Sequence, residues 1–153
     1  MTIMLEPIAY VIGGREKPTD DDWARERAVI QLDETRFTAE AIEGLDSFSH
    51  IEVVFHFNKV PENKVQYGAR HPRDNTRWPK LGIFAQRGKN RPNRIGVTVC
   101  QLLKHEGTRL EVAGLDAIDG TPVLDIKPFM RDFAPRGEIR EPFWVGELMA
   151  GYW

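Results

Sequence analysis

Short apolar runs at the period of a β-strand dominate the chain. Residues 7–12 (PIAYVI) form one such run, closed by Gly13-Gly14, and residues 25–32 (RERAVIQL) partly alternate. Residues 49–57 (SHIEVVFHF) are rich in β-branched and aromatic side chains. Ahead of them, residues 38–45 (TAEAIEGL) predict a brief helix, capped by Thr38 and stopped at Gly44. Residues 58–79 have no usable period and hold Pro61, Gly68, Pro72 and Pro79, a long connection of the kind that often binds something. Residues 81–85 are a short strand candidate. Residues 95–105 and 108–114 make the clearest hairpin, joined around Glu106-Gly107. Asp119-Gly120 marks a further turn before the extended stretch TPVLDIKPF. With no repeat, heptad or low-complexity linker, the pattern predicts one all-β domain with a minor helix, a sandwich or a barrel.

Composition narrows the class without naming a function. The 153 residues are 41% hydrophobic and 29% charged, the balance of a soluble globular domain. No apolar run approaches the ~18 residues of a membrane span. The start, MTIMLEPIAYVIGGREK, carries Glu6 and no basic segment ahead of an apolar core, so a secretory signal is not expected. Cys100 is the only cysteine, which excludes an internal disulfide and a Cys-clustered zinc site and makes a reducing cytoplasm the expectation.

Charge changes the picture more. Residues 1–50 carry five Lys/Arg against eleven Asp/Glu, a net of −6. Residues 70–94 carry eight (Arg70, Arg73, Arg77, Lys80, Arg87, Lys89, Arg91, Arg94) against Asp74 alone, a net of +7. Such a block suits a solvated loop, an oligomer contact or a phosphate-binding surface.

Familiar catalytic templates are missing. There is no Gly-x-Gly-x-x-Gly, no P-loop and no Gly-x-Ser-x-Gly elbow. His50 and His56 share a strand face roughly 20 Å apart, too far for one metal ion, and no metal site is expected. Cys100, within IGVTVCQLL, reads as a small buried hydrophobe.

Two segments hold more chemistry. Residues 82–96 (GIFAQRGKNRPNRIG) run from an apolar strand into a loop with Arg87, Lys89, Arg91 and Asn93, pinned by Pro92 and bounded by Gly88 and Gly96. Such a loop is either an ornate turn or an anion site built from backbone N–H groups and guanidinium forks. Residues 114–129 (GLDAIDGTPVLDIKPF) place Asp116, Asp119 and Asp125 beside Lys127. Asp119 suits the turn and Asp125 an ion pair with Lys127, or the acids serve a diol or a cation.

Together, in this order and spacing, the two segments resemble the TsaA-like family, the TrmO-type tRNA methyltransferases; residues 48–57 (FSHIEVVFHF) resemble the family's upstream strand. The likeness spans most of residues 5–130, leaving 131–153 as a C-terminal tail of a single domain. It implies a small antiparallel β-barrel, a homodimer, S-adenosylmethionine bound near the subunit interface, and N6-methylation of threonylcarbamoyladenosine in tRNA. On that reading Arg87, Arg91, Asn93 and the loop N–H groups face the cofactor's carboxylate. Asp116, Asp119 and Thr121 would face its diol and amine, and Phe84 or Leu115 its adenine. Arg70, Arg73, Arg77, Lys80 and Arg94 are the expected RNA contacts. No proton acceptor announces itself; Tyr67 and His71 in the long loop are the candidates.

Three departures stand out. Arg94 replaces a proline usual in the family, Gly88-Lys89 replaces a common Ser-Pro, and many bacterial members carry a second, C-terminal domain that engages tRNA. The apolar tail FWVGELMAGYW is expected to dock on the barrel or on a partner subunit. Two other functions stay open: a methyltransferase of the same fold acting on a small molecule or another RNA, and a non-catalytic S-adenosylmethionine-binding module.

Overall fold

Alternation along the strands decides the architecture. In the computed structural model, which describes residues 1–153, β3 (His50–His56) buries Ile51, Val53 and Phe55 and turns the residues between them outward. β1 (Ala9–Ile12) does the same with Ala9 and Val11, and β2 (Arg27–Leu32) with Ala28, Ile30 and Leu32. A two-residue period puts all the apolar side chains of a strand on one face, so the strands curl around a shared interior. β6 (Ile95–Glu106), β7 (Arg109–Ala113) and β8 (Pro122–Pro128) complete an antiparallel closed barrel in the order β1-β2-β7-β6-β3-β8. Closure comes from Ala9 pairing with Val123 and Tyr10 with Pro122. Sixteen buried residues form one core inside.

The predicted elements are present with shifted ends. The strand expected from residue 25 begins at Arg27, because its partner β7 ends at Ala113, and Gly114 instead bonds the Glu26 carbonyl. The helix expected over 38–45 is a 3₁₀ turn, Ala39–Ile42, and Thr38 makes no side-chain cap; Gly44 does stop it, at φ 84°. The strand expected over 81–85 is only β5 (Leu81–Gly82). Its partner β4 (Ala69–Arg70) is two residues long, so Ile83–Ala85 coils into a 3₁₀ turn instead.

The tail forms α1 (Phe143–Met149) and packs on its own barrel. Trp144 is buried, the amides of Asp22 and Trp23 bond the carbonyls of Gly151 and Tyr152 at 2.9 Å each, and Trp78 Nε1 donates to Glu147 at 2.7 Å. No helix is long and apolar enough to cross a membrane.

Candidate functional site

β6 is paired on both sides only at Gln101, where its partner changes from β3 to β7. Residues 95–100 pair with β3 alone, since pairing with β7 starts at Gln101 and Ala113. The two chemistry-bearing segments meet along this half-open stretch. Arg87 Nη2 donates to the Val97 carbonyl at 2.7 Å, and the next residue, Thr98, donates its hydroxyl to Asp116. The loop of residues 82–96 and the crossover of residues 114–121 thus converge on consecutive residues of one strand.

Glycine turns set up the crossover. Gly114 (φ 77°) ends β7, and Leu115 and Ala117 then drop into the barrel core. Gly120 (φ 80°) bonds the Val11 carbonyl and returns the chain to β8. Asp116 is held at both oxygens, by Thr98 and by the Tyr152 hydroxyl from the tail, and each oxygen keeps a second lone pair for a ligand. Asp119 accepts from the Gly13 amide at 2.7 Å through Oδ1 and is otherwise exposed. Leu115 and Thr121 are buried, Thr121 donating to the Ile118 carbonyl at 2.7 Å, so both act from within the fold. Asp125 pairs with Lys127 at 2.8 Å.

In the loop, Arg91 donates to the Gln86 carbonyl at 2.7 Å and Arg94 to the Val60 carbonyl at 2.8 Å, while Phe84 and Asn93 are exposed. Sequence reasoning passed over Gln86. It is buried, and its side-chain amide bonds the carbonyls of Arg70 and Leu81 at 2.9 Å each, lacing the long loop to residues 82–96. Glutamine in a loop gives no local sign of such a role. Thr98 and Tyr152 were missed for a similar reason, their partner Asp116 being remote in the sequence.

The expected RNA contacts do not share one environment. Arg77 and Lys80 are exposed. Arg73 is ion-paired with Asp21 at 2.9 Å and Asp20 at 3.8 Å, so the acidic amino-terminal region neutralises part of the basic block. Arg70 lies under the 82–96 loop. Tyr67 is exposed, whereas His71 Nδ1 sits 2.7 Å from the Trp78 carbonyl. A carbonyl only accepts, so Nδ1 carries the hydrogen, and in the neutral ring the lone pair is on Nε2.

A cleft of about 640 Å³ lies elsewhere, between the Phe37–Phe48 segment and residues 125–128. Its lining is mostly apolar and includes no residue of the 82–96 loop.

Arg94 has φ 52° and its amide bonds the Arg91 carbonyl at 3.0 Å. Proline fixes φ near −65° and has no N–H. Arg94→Pro is therefore expected to lower stability by more than about 1 kcal/mol, read from urea denaturation. A stabilised variant would contradict this loop geometry.

Titration follows the same contacts. Burial, then the Asp116 carboxylate, raises the Tyr152 hydroxyl well above its usual value, and burial pushes the Cys100 thiol up to about 12. His56, at the loop end of β3, is lowered by burial and by the Arg94 charge. A raised tyrosine contributes stability that is complete below its unfolded value of about 10 and is lost as pH rises beyond it. Tyr152→Phe is expected to cost about 1–2 kcal/mol at neutral pH, and the gap to the parent should close above pH ~10. A gap that stays constant into alkali would show the hydroxyl to be unlinked to Asp116.

The model of the tRNA-methyltransferase O N-terminal domain matches residues 14–134. The chain belongs to this family. Among its members, the mouse "tRNA (adenine(37)-N6)-methyltransferase" is 35% identical over 138 residues, covering 86% of this chain and 32% of that protein. A "Probable S-adenosyl-L-methionine-binding protein" of Methanothermobacter thermautotrophicus is 34% identical over 140 residues, covering 90% of this chain and 97% of its own length. The crystal structure of TrmO from Pseudomonas aeruginosa superposes with a TM-score of 0.73 at 31% identity, over 92% of this chain and 61% of that one. The chain thus spans about a third of the first curated relatives it matches and under two thirds of the solved TrmO chain. The TrmO likeness agrees with the resemblance and the barrel expected from the sequence.

Proposed function

We propose that the chain is an S-adenosylmethionine-dependent methyltransferase that methylates N6 of threonylcarbamoyladenosine in tRNA. The observation that carries the reading is the convergence of Arg87 and Asp116 on Val97 and Thr98. The donor set suits the cofactor: guanidinium groups for a carboxylate, Asp116 and the free oxygen of Asp119 for a diol or amine, and the exposed Phe84 ring for a purine. Relatives named as tRNA (adenine(37)-N6)-methyltransferases support the acceptor.

When bound, S-adenosylmethionine supplies a methyl group on sulfonium: the C–S bond breaks with its electron pair going to sulfur as a C–N bond forms to the acceptor. The leaving group is already activated, so the residues act by alignment and exclusion of water. N6 must also lose a proton, and His71, with its lone pair on Nε2, is better prepared to take it than the exposed Tyr67. Arg77 and Lys80 offer free charge to phosphates. The exposed Phe84, with Val99 and Leu103 on the outer face of β6, supports a homodimer with the site near the subunit interface. A single domain over residues 1–153 in a reducing cytoplasm completes the reading.

The test has two stages. Calorimetry should record S-adenosylmethionine binding that Arg87→Ala weakens about tenfold; no heat at millimolar cofactor would refute the reading. Methyl transfer to tRNA bearing threonylcarbamoyladenosine should then follow, and binding without transfer to any acceptor would favour the cofactor-binding module. A specific observation keeps that second reading in view: the archaeal relative covered over 97% of its length is named only for binding.

A further inference from the structure

One partly enclosed guanidinium of the basic block has no partner; the other unpartnered one, Arg77, is exposed. Arg73 is ion-paired, and Arg87, Arg91 and Arg94 each donate to a carbonyl. The Nε of Arg70 is buried with no hydrogen-bond partner, and no carboxylate pairs with this side chain. A buried donor without an acceptor is rare, because it has given up water and received nothing in return.

Arg70 is built into the fold rather than stray on its surface. It pairs with Leu81 across β4 and β5, and its carbonyl accepts from Gln86 at 2.9 Å. Nearby, the Gln66 amide bonds the Asn90 carbonyl at 3.0 Å, which fixes the long loop under residues 82–96. Gly88 approaches so closely that a Cβ there would lie 3.0 Å from Arg70 Nη2. Nε and Nη2 share one edge of the guanidinium, and their parallel N–H bonds form the fork that fits both oxygens of a carboxylate.

We propose that Arg70, opposite Gly88, is the receptor for a small-molecule carboxylate, and that this carboxylate is the amino-acid end of S-adenosylmethionine. The inference rests on the functional reading above and moves Arg70 from the expected RNA surface to the cofactor site. An enclosed nitrogen favours a small ligand over a polynucleotide phosphate, for which Arg77 and Lys80 are the exposed cations. With no side chain to clear, the turn at Gly88 can move aside and admit a carboxylate oxygen to Nε.

The test is calorimetric titration of the full chain with S-adenosylmethionine and, separately, with its decarboxylated analogue. The parent should prefer the carboxylate form at least tenfold. Arg70→Gln should erase that preference, weakening S-adenosylmethionine tenfold or more and leaving the analogue within twofold. Arg70→Lys should recover only part, since an ammonium lacks the fork. Gly88→Ala, whose Cβ presses on Nη2, should reproduce the loss with the guanidinium in place. Arg70→Gln with undiminished preference for the carboxylate form overturns the proposal. So does unchanged cofactor affinity with weakened tRNA binding and a salt slope reduced by about one, the signature of a phosphate contact. If Arg70→Gln does not fold, Gly88→Ala decides, and parental preference in that variant overturns the proposal. A parent protein that binds neither compound overturns the functional reading and this inference together.

Discussion

Asp116→Ala is expected to release the C-terminal tail and to remove measurable S-adenosylmethionine affinity. The carboxylate accepts from Thr98 in the barrel and Tyr152 in the tail, so its loss leaves both partly buried hydroxyls without their charged partner. Hydrogen bonds to a charged group contribute about 1.5–3 kcal/mol each, and partial rehydration brings the expected total to about 3 kcal/mol. For a chain of this length that is a fall in melting temperature of roughly 6–12 °C. Hydrogen exchange should quicken at the Trp23 amide, which bonds the Tyr152 carbonyl. Asp116→Asn separates the two roles. An asparagine can accept from one hydroxyl and donate to the other, so most of the stability should return, but its loss of charge should leave cofactor binding at least tenfold weaker. Parental affinity in Asp116→Asn would remove Asp116 from the binding site and leave it a structural clasp.

The second large effect is steric. A Cβ at Gly96 would lie 2.6 Å from Cε2 and Cζ of Phe55 and 2.8 Å from Cζ of Phe57. Phe55 is 1% exposed and packs edge-on to Phe57 at 5.3 Å between centroids, so the Phe55 ring has no room to retreat. Overpacking of this kind costs about 1–3 kcal/mol, and Gly96→Ala belongs near the upper end. Phe55→Ala alone should cost about 3–5 kcal/mol. The double variant should cost clearly less than the sum, because the vacated ring space accepts the added methyl. Urea denaturation of the four proteins measures the coupling, and strictly additive costs would show that the two positions do not touch.

Gly96 also shows where reading the residues in order falls short. Along the chain it closes the loop RPNRIG and suggests room for a ligand. In the barrel it faces inward, and its missing side chain makes room for Phe55. Asp119 behaved oppositely: a turn acid by its neighbour Gly120, it does hold the turn, through the Gly13 amide, and still leaves one oxygen free. The basic block was legible as a block, but not its inner differences. Arg73 meets acids some fifty positions earlier, Arg94 meets a carbonyl, and Arg70 meets nothing.

By itself the sequence determined the six barrel strands, the hairpin around Gly107, the family motifs and the all-β class. Side-chain alternation and turn preference are local properties, set by residues within a few positions of one another. Only the tertiary structure decided that the barrel closes through β1 and β8, that half of β6 stays open to receive both motifs, and that Tyr152 reaches Asp116 across 36 positions. Such contacts depend on which strand edges find each other when the core is buried, and no residue carries its distant partner's address.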